Sequence, residues 1–161
     1  MNGSMYVLKH VGRELVRGGG SFVGISLIAA SNTHRWFGPY GVTKSAIDHM
    51  MMLAADELGP SWVRVNSVRP GLIRTDLVDA AVIQSPEISG DYARCTPLPR
   101  CGEVEDVANL VMFLLSDAAA WITGQCINVD GGHMLRRGPD YSSMMVQMFG
   151  EYALRGVVPK S

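Results

Sequence analysis

The 161-residue sequence has little of what would tie it to a membrane, a nucleic acid or a disulfide framework. Its formal net charge is −1, from 14 Lys and Arg against 15 Asp and Glu, so no field of one sign draws it to nucleic acid or an acidic lipid surface. No run approaches the roughly 18 uninterrupted apolar residues of a membrane span. No secretory signal is expected, because Lys9, His10, Arg13 and Glu14 break up the N-terminal segment. The three cysteines (Cys95, Cys101, Cys126) are odd in number and lack the close pairs that hold zinc. They read as reduced thiols in a cytoplasmic protein. Four scattered histidines (His10, His34, His49, His133) read as structural or surface residues, leaving no metal site to expect.

What is present is a chain of about one domain's length, 47% hydrophobic and 18% charged, enough for one core. Met5, Leu8, Val11, Leu15 and Val16 recur at helical spacing until Gly18-Gly19-Gly20 stops them. Ser21 to Ser26 reads as a buried strand, and Tyr40 to Leu58 as a second helix ended by Gly59-Pro60. Trp62 to Pro70 alternates and is rich in valine, as strands are. A loop is expected from Gly71 to about Gly102, then a third helix from Glu103 to Ser116 with an acidic first turn. Gln125 to Val129 reads as a third strand, followed by Asp130-Gly131-Gly132 and a polar tail over residues 133–161.

Strands alternating with crossover helices predict an α/β fold: a parallel sheet of about three strands covered on both faces by three main helices. No repeat or low-complexity segment interrupts it, so residues 1–161 read as a single unit. In such sheets ligands sit beyond the carboxyl ends of the strands. That directs attention to residues 27–40, 71–75 and 130 onward.

The first of these segments leads into Tyr40 and Lys44. Positions i and i+4 share a helix face, and an ammonium beside a phenol stabilises the phenolate. Such a tyrosine can serve as proton donor or acceptor. Taken alone, the pair more often marks a solvated helix face with a packed ring.

Its surroundings say more. YGVTKSAIDHMMMLAADELGPSWVRVNSVRPGLIRTD (Tyr40 to Asp76) and TPLPRCGEVEDVANLVMFLLSDAAAWITGQCINVDGG (Thr96 to Gly132) resemble the short-chain dehydrogenase/reductase family. The likeness runs nearly unbroken from Gly3 to Gly132 and covers roughly the C-terminal two-thirds of that family's length. It implies a Rossmann-like doubly wound sheet and hydride transfer between NAD or NADP and an alcohol or carbonyl. Tyr40 would then be the general acid/base, and Lys44 would support it and bond the nicotinamide ribose. Pro70 and Gly71 would start the loop beside the nicotinamide, with the Ile73 backbone and the Thr75 side chain touching the cofactor. Thr75 reads equally well as a helix cap before Asp76. Residues 76–100 would form a substrate lid whose apolar side chains (Leu77, Val78, Ala80, Ala81, Val82, Ile83) suit a hydrophobic alcohol or ketone.

Two departures stand out. The family places a serine thirteen residues before the tyrosine to hold the substrate oxygen, and here Leu27 stands there. Ser26 is adjacent, but neighbours on a strand face opposite ways, so it is a poor substitute. The family's glycine-rich turn and cofactor-selecting residue also fall upstream of Met1, and Asn2 is only a positional candidate for its catalytic asparagine. The sequence therefore leads us to expect a short-chain dehydrogenase without its N-terminal dinucleotide-binding half, with weak cofactor binding and impaired activity. Alternatively it is a non-catalytic remnant or oligomerisation module. The helices of residues 3–16 and 40–58 match the family's association surfaces, so a homo-oligomer is expected.

Overall fold

The computed structural model of the chain describes residues 1–79, 82, 84–136 and 141–151. Its first half runs α1 (Asn2–Gly18), β1 (Gly20–Ile25), α2 (Tyr40–Leu58) and β2 (Val63–Pro70). There follow a single turn α3 (Asp76–Val78), α4 (Pro86–Cys95), α5 (Val104–Leu115), β3 (Cys126–Val129) and α6 (Ser142–Phe149). The three strands form one parallel sheet in the order β1-β2-β3.

Alternation along β2 divides the core. Val63 and Val65 pack with Ile47, Met51, Ala54 and Ala55 of α2 on one face. Val68 meets Leu114 of α5 and Ala119 on the other. β2 is central and almost wholly buried, as a strand covered on both faces must be. The long apolar stripe of α2 thus becomes burial, which at about 25 cal/mol per Å2 of apolar area is what holds helix to sheet. Asn66, fully buried, is satisfied in both directions: its Nδ2 donates to the Ile122 carbonyl (2.9 Å) and its Oδ1 accepts from the Gln125 amide (3.0 Å). That pairing fixes where β3 begins.

The α/β architecture and the parallel sheet are as the sequence implies; several boundaries differ. β1 ends at Ile25, so Ser26 lies just past it, though its amide still donates to the Val68 carbonyl (2.9 Å). Trp62 stays outside β2 with φ of 59°, capping the turn that precedes the strand. The expected loop from Gly71 to Gly102 contains α4, started by Pro86, whose missing amide costs nothing at a first helical turn. Ile88, Asp91, Tyr92 and Cys95 form its buried face. The proline and glycine content of this stretch hides that periodicity. The tail likewise contains α6, held through buried Met145. No helix among the described residues is long and apolar enough to cross a membrane.

Candidate active site

Parallel strands bring their carboxyl ends to one edge, and α2 starts at that edge. Tyr40 is the first residue of α2 and Lys44 lies one turn on, with its Nζ over the Tyr40 ring at 5.7 Å from the centroid. The short turn Ile28–Ala30 packs against the start of this helix, where the Ser45 hydroxyl donates to the Ala30 carbonyl (2.5 Å). Gly41 makes that approach possible: a Cβ there would stand 2.8 Å from the Ala29 carbonyl oxygen.

A cleft of about 570 Å3 opens beside Tyr40. Leu27, Pro70, Gly71, Ile73 and Thr75 all line it, so segments distant in sequence meet on one surface. Leu27, in extended backbone, turns toward the cleft. Ser26 is not among the lining residues; it is 2% exposed, and its Oγ has no hydrogen-bond partner among the described residues. Asn2 opens α1 in an exposed position and is likewise not part of the cleft lining.

The loop after β2 is pinned at both ends. The Gly71 amide donates to the Val129 carbonyl (2.8 Å), and a Cβ on Gly71 would stand 2.8 Å from the Asp130 Cα, so only glycine lets the two strand ends close up. Further on, Ile73 bridges Gly102 in parallel: Gly102 donates to the Leu72 carbonyl (2.9 Å) and Arg74 donates to the Gly102 carbonyl (2.7 Å). In such a bridge the amide and carbonyl of Ile73 itself point away from the partner segment. Thr75 caps α3, its Oγ1 accepting from the Val78 amide (3.3 Å).

Beneath the site lies a polar brace that sequence reading missed. Asp48, 2% exposed, sits one turn beyond Lys44 and accepts from the Ser67 hydroxyl (2.5 Å) and from Arg69 Nε (2.7 Å). It ties the N-terminal half of α2 to the last residues of β2. The signal was present as an acid within an apolar helical stripe opposite alternate strand residues, but it needs the helix–strand register to be read.

The far wall of the cleft was also missed. His34, Phe37, Tyr92 and Tyr141 line it together with Leu77, Val78 and Val82 of the segment expected to form a lid. Ala80, Ala81 and Ile83, the other apolar lid candidates, lie outside the described residues. Phe37 stacks on His34 at 5.6 Å and meets Tyr40 edge-on at 6.1 Å and Tyr141 at 5.3 Å. The hydroxyls of Tyr92 and Tyr141 are hydrogen-bonded to each other. Burial pushes both phenols above their ordinary range, so both stay protonated. No cluster of His, Cys, Asp and Glu among the described residues is arranged to hold a metal ion.

A family model described as enoyl-(acyl carrier protein) reductase matches residues 1–134. Among curated proteins, the chain is 37% identical over 115 residues to the 7alpha-hydroxysteroid dehydrogenase of Escherichia coli (strain K12), covering 71% of this chain and 44% of that one. Among solved structures it resembles a short-chain type dehydrogenase/reductase from Mycobacterium ulcerans, with 76% identity and a TM-score of 0.95 over 98% of this chain and 57% of that one. A 7 alpha-hydroxysteroid dehydrogenase complexed with NADH and 7-oxo glycochenodeoxycholic acid superposes with a TM-score of 0.76 at 35% identity, over 80% of this chain and 50% of that one. The chain thus spans about half the length of the relatives it matches. With the strand order, the tyrosine–lysine turn and the loop after β2 in place, the chain belongs to the short-chain dehydrogenase/reductase family.

Proposed function

We propose that this chain serves a nicotinamide-dependent oxidoreductase that interconverts a hydrophobic alcohol and its ketone. The observation that carries the reading is Tyr40 on an apolar cleft at the carboxyl ends of the strands, with the Lys44 ammonium above its ring. In reduction the Tyr40 hydroxyl gives its proton to the carbonyl oxygen; in oxidation its oxygen takes the alcohol proton. The positive charge of Lys44 favours negative charge on the Tyr40 oxygen as the proton leaves. Leu27 can supply no hydrogen bond to the substrate oxygen. One such donor is typically worth about 10²–10³ in rate, and that is why we read the activity as impaired.

The residues present fit the nicotinamide end of a dinucleotide. Lys44 and the outward-facing amide and carbonyl of Ile73 would hold it, and Thr75 would flank it. When bound, the nicotinamide supplies or receives the hydride. Among the described residues no glycine-rich turn leads from a strand into a helix of the kind that cradles a pyrophosphate; the glycine turn after β3 holds Asp130, whose carboxylate accepts from the Gly132 and Met134 amides (both 2.9 Å). NADH in a relative's structure supports the cofactor class. We place the protein in the cytoplasm, as a homo-oligomer.

The second reading, a non-catalytic association module, is favoured by Leu27 in the cleft and by the open edge of β1. Titrating the chain into NADH and NADPH while following their fluorescence, then assaying turnover of hydrophobic ketones, separates the two. Weak binding with slow turnover that disappears in Tyr40→Phe supports the oxidoreductase. Turnover that survives Tyr40→Phe overturns it, and complete absence of turnover favours the module.

A further inference from the structure

The cleft has a second polar point that the proton transfer at Tyr40 does not use. Tyr92 of α4 and Tyr141, just before α6, are 7% and 4% exposed, and both line the cleft. Two phenols carry two O–H protons and share one hydrogen bond, so one proton remains without an acceptor among the described residues. A buried donor left unsatisfied is costly, and a ligand oxygen is the natural way to satisfy it. Phe37 lies between this pair and Tyr40, its ring contacting both Tyr40 and Tyr141. No Lys, Arg, Asp or Glu is among the described residues lining the cleft. Among the described lining residues the side chain that can carry a positive charge, His34, stacks on Phe37, while the phenol pair offers only O–H groups, so a neutral acceptor oxygen suits the pair without the desolvation cost of an ion.

Resting on the oxidoreductase reading of this cleft, we propose that Tyr92 and Tyr141 form a substrate-recognition site for a neutral acceptor oxygen at the distal end of an apolar ring-bearing ketone. The ring of such a substrate lies along Phe37, with its reacting carbonyl at Tyr40. Tyr141 lies past residue 134, where the match to the family model ends.

Isothermal titration of the full chain with two isosteric ketones tests this. The probes are 4-(4-methoxyphenyl)butan-2-one, which carries a distal acceptor oxygen, and 4-(4-ethylphenyl)butan-2-one, which does not. One neutral hydrogen bond makes the methoxy ketone about fivefold tighter on the native chain. That preference falls to about one in Tyr92→Phe/Tyr141→Phe, while either single variant, keeping one phenol free to donate, retains it. Equal affinities on the native chain, or no binding of either ketone, overturn the proposal even if the double variant does not fold. So does a preference that persists in a folded double variant. Because binding is read without turnover, failure here is distinguishable from failure of the Tyr40 chemistry, which shows only in the activity of Tyr40→Phe.

Discussion

Gly41 and Ala29 stand so close that the helix bearing Tyr40 and the turn following Leu27 are set as one piece: a Cβ on Gly41 would sit 2.8 Å from the Ala29 carbonyl oxygen. Backbone cannot yield there as a flexible side chain would. Gly41→Ala is expected to destabilise the fold by about 1–3 kcal/mol through overpacking, despite alanine's better helix propensity. Urea denaturation of both proteins checks it, and a variant as stable as the parent would show that the turn gives way freely.

The Asp48 brace has a sharper signature. Removing one partner of a buried ion pair leaves the other uncompensated, at a cost of about 3–5 kcal/mol. Arg69 keeps 19% of its side chain exposed, so Asp48→Asn is expected at the lower end of that range, about 3 kcal/mol. Adding Arg69→Met should recover most of the loss, since the stranded charge goes with it. A double-mutant cycle followed by chemical denaturation measures this, and strictly additive effects would contradict the coupling.

At the proposed reacting centre, Leu27→Ser places a hydroxyl on the wall of the cleft that Tyr40 also lines. Its benefit belongs to the chemical step, because it acts on charge developing on the substrate oxygen. Turnover should rise by about 10²-fold with little change in the affinity for NADH. Steady-state kinetics beside a fluorescence titration decides it, and equal turnover in the two proteins would reject Leu27 as the donor position.

His133 makes stability depend on pH. It is 1% exposed, packs tilted against Tyr92 at 5.5 Å between ring centroids and shares a 3.3 Å contact between its Nδ1 and Thr96 Oγ1. Burial lowers its pKa, with the charge of His34 adding to the effect and Asp130 and Asp91 opposing it. The unfolded chain therefore takes up this proton first as pH falls below about 6.5. The neutral-histidine contribution is complete above that pH and is lost as pH falls through the lower native value. Unfolding free energies measured from pH 7.5 to 5 should decline, and His133→Gln should flatten the decline. An unchanged slope in that variant would rule His133 out as its source.

Among the described residues β1 pairs with β2 on one side only, and Ile25 on it is 46% exposed. An apolar edge strand offers unpaired amides and carbonyls to another chain. Met5, Tyr6 and Val7 on α1 add exposed apolar surface. The 161-residue chain is expected to self-associate, and sedimentation equilibrium across concentrations reads this directly. A stable monomer of 17.4 kDa throughout would refute it.

The sequence by itself determined whatever depends on local pattern and near spacing. The helical stripe from Ile47 to Leu58 specified α2, and the valine alternation from Val63 to Val68 specified the central strand. Tyr40 and Lys44, four apart, had to share a face. Breakers misled where they sat inside an element: Pro86 starts α4 and Gly90 lies within it, so a helix hid in an expected loop. Only the tertiary structure decided which distant residues meet. Asp48 finds Ser67 and Arg69 because the helix–strand register aligns them, and Tyr92 finds Tyr141 because α4 and the residue preceding α6 close on one cleft. Such pairings depend on long-range packing, and no periodicity in one segment records the position of another.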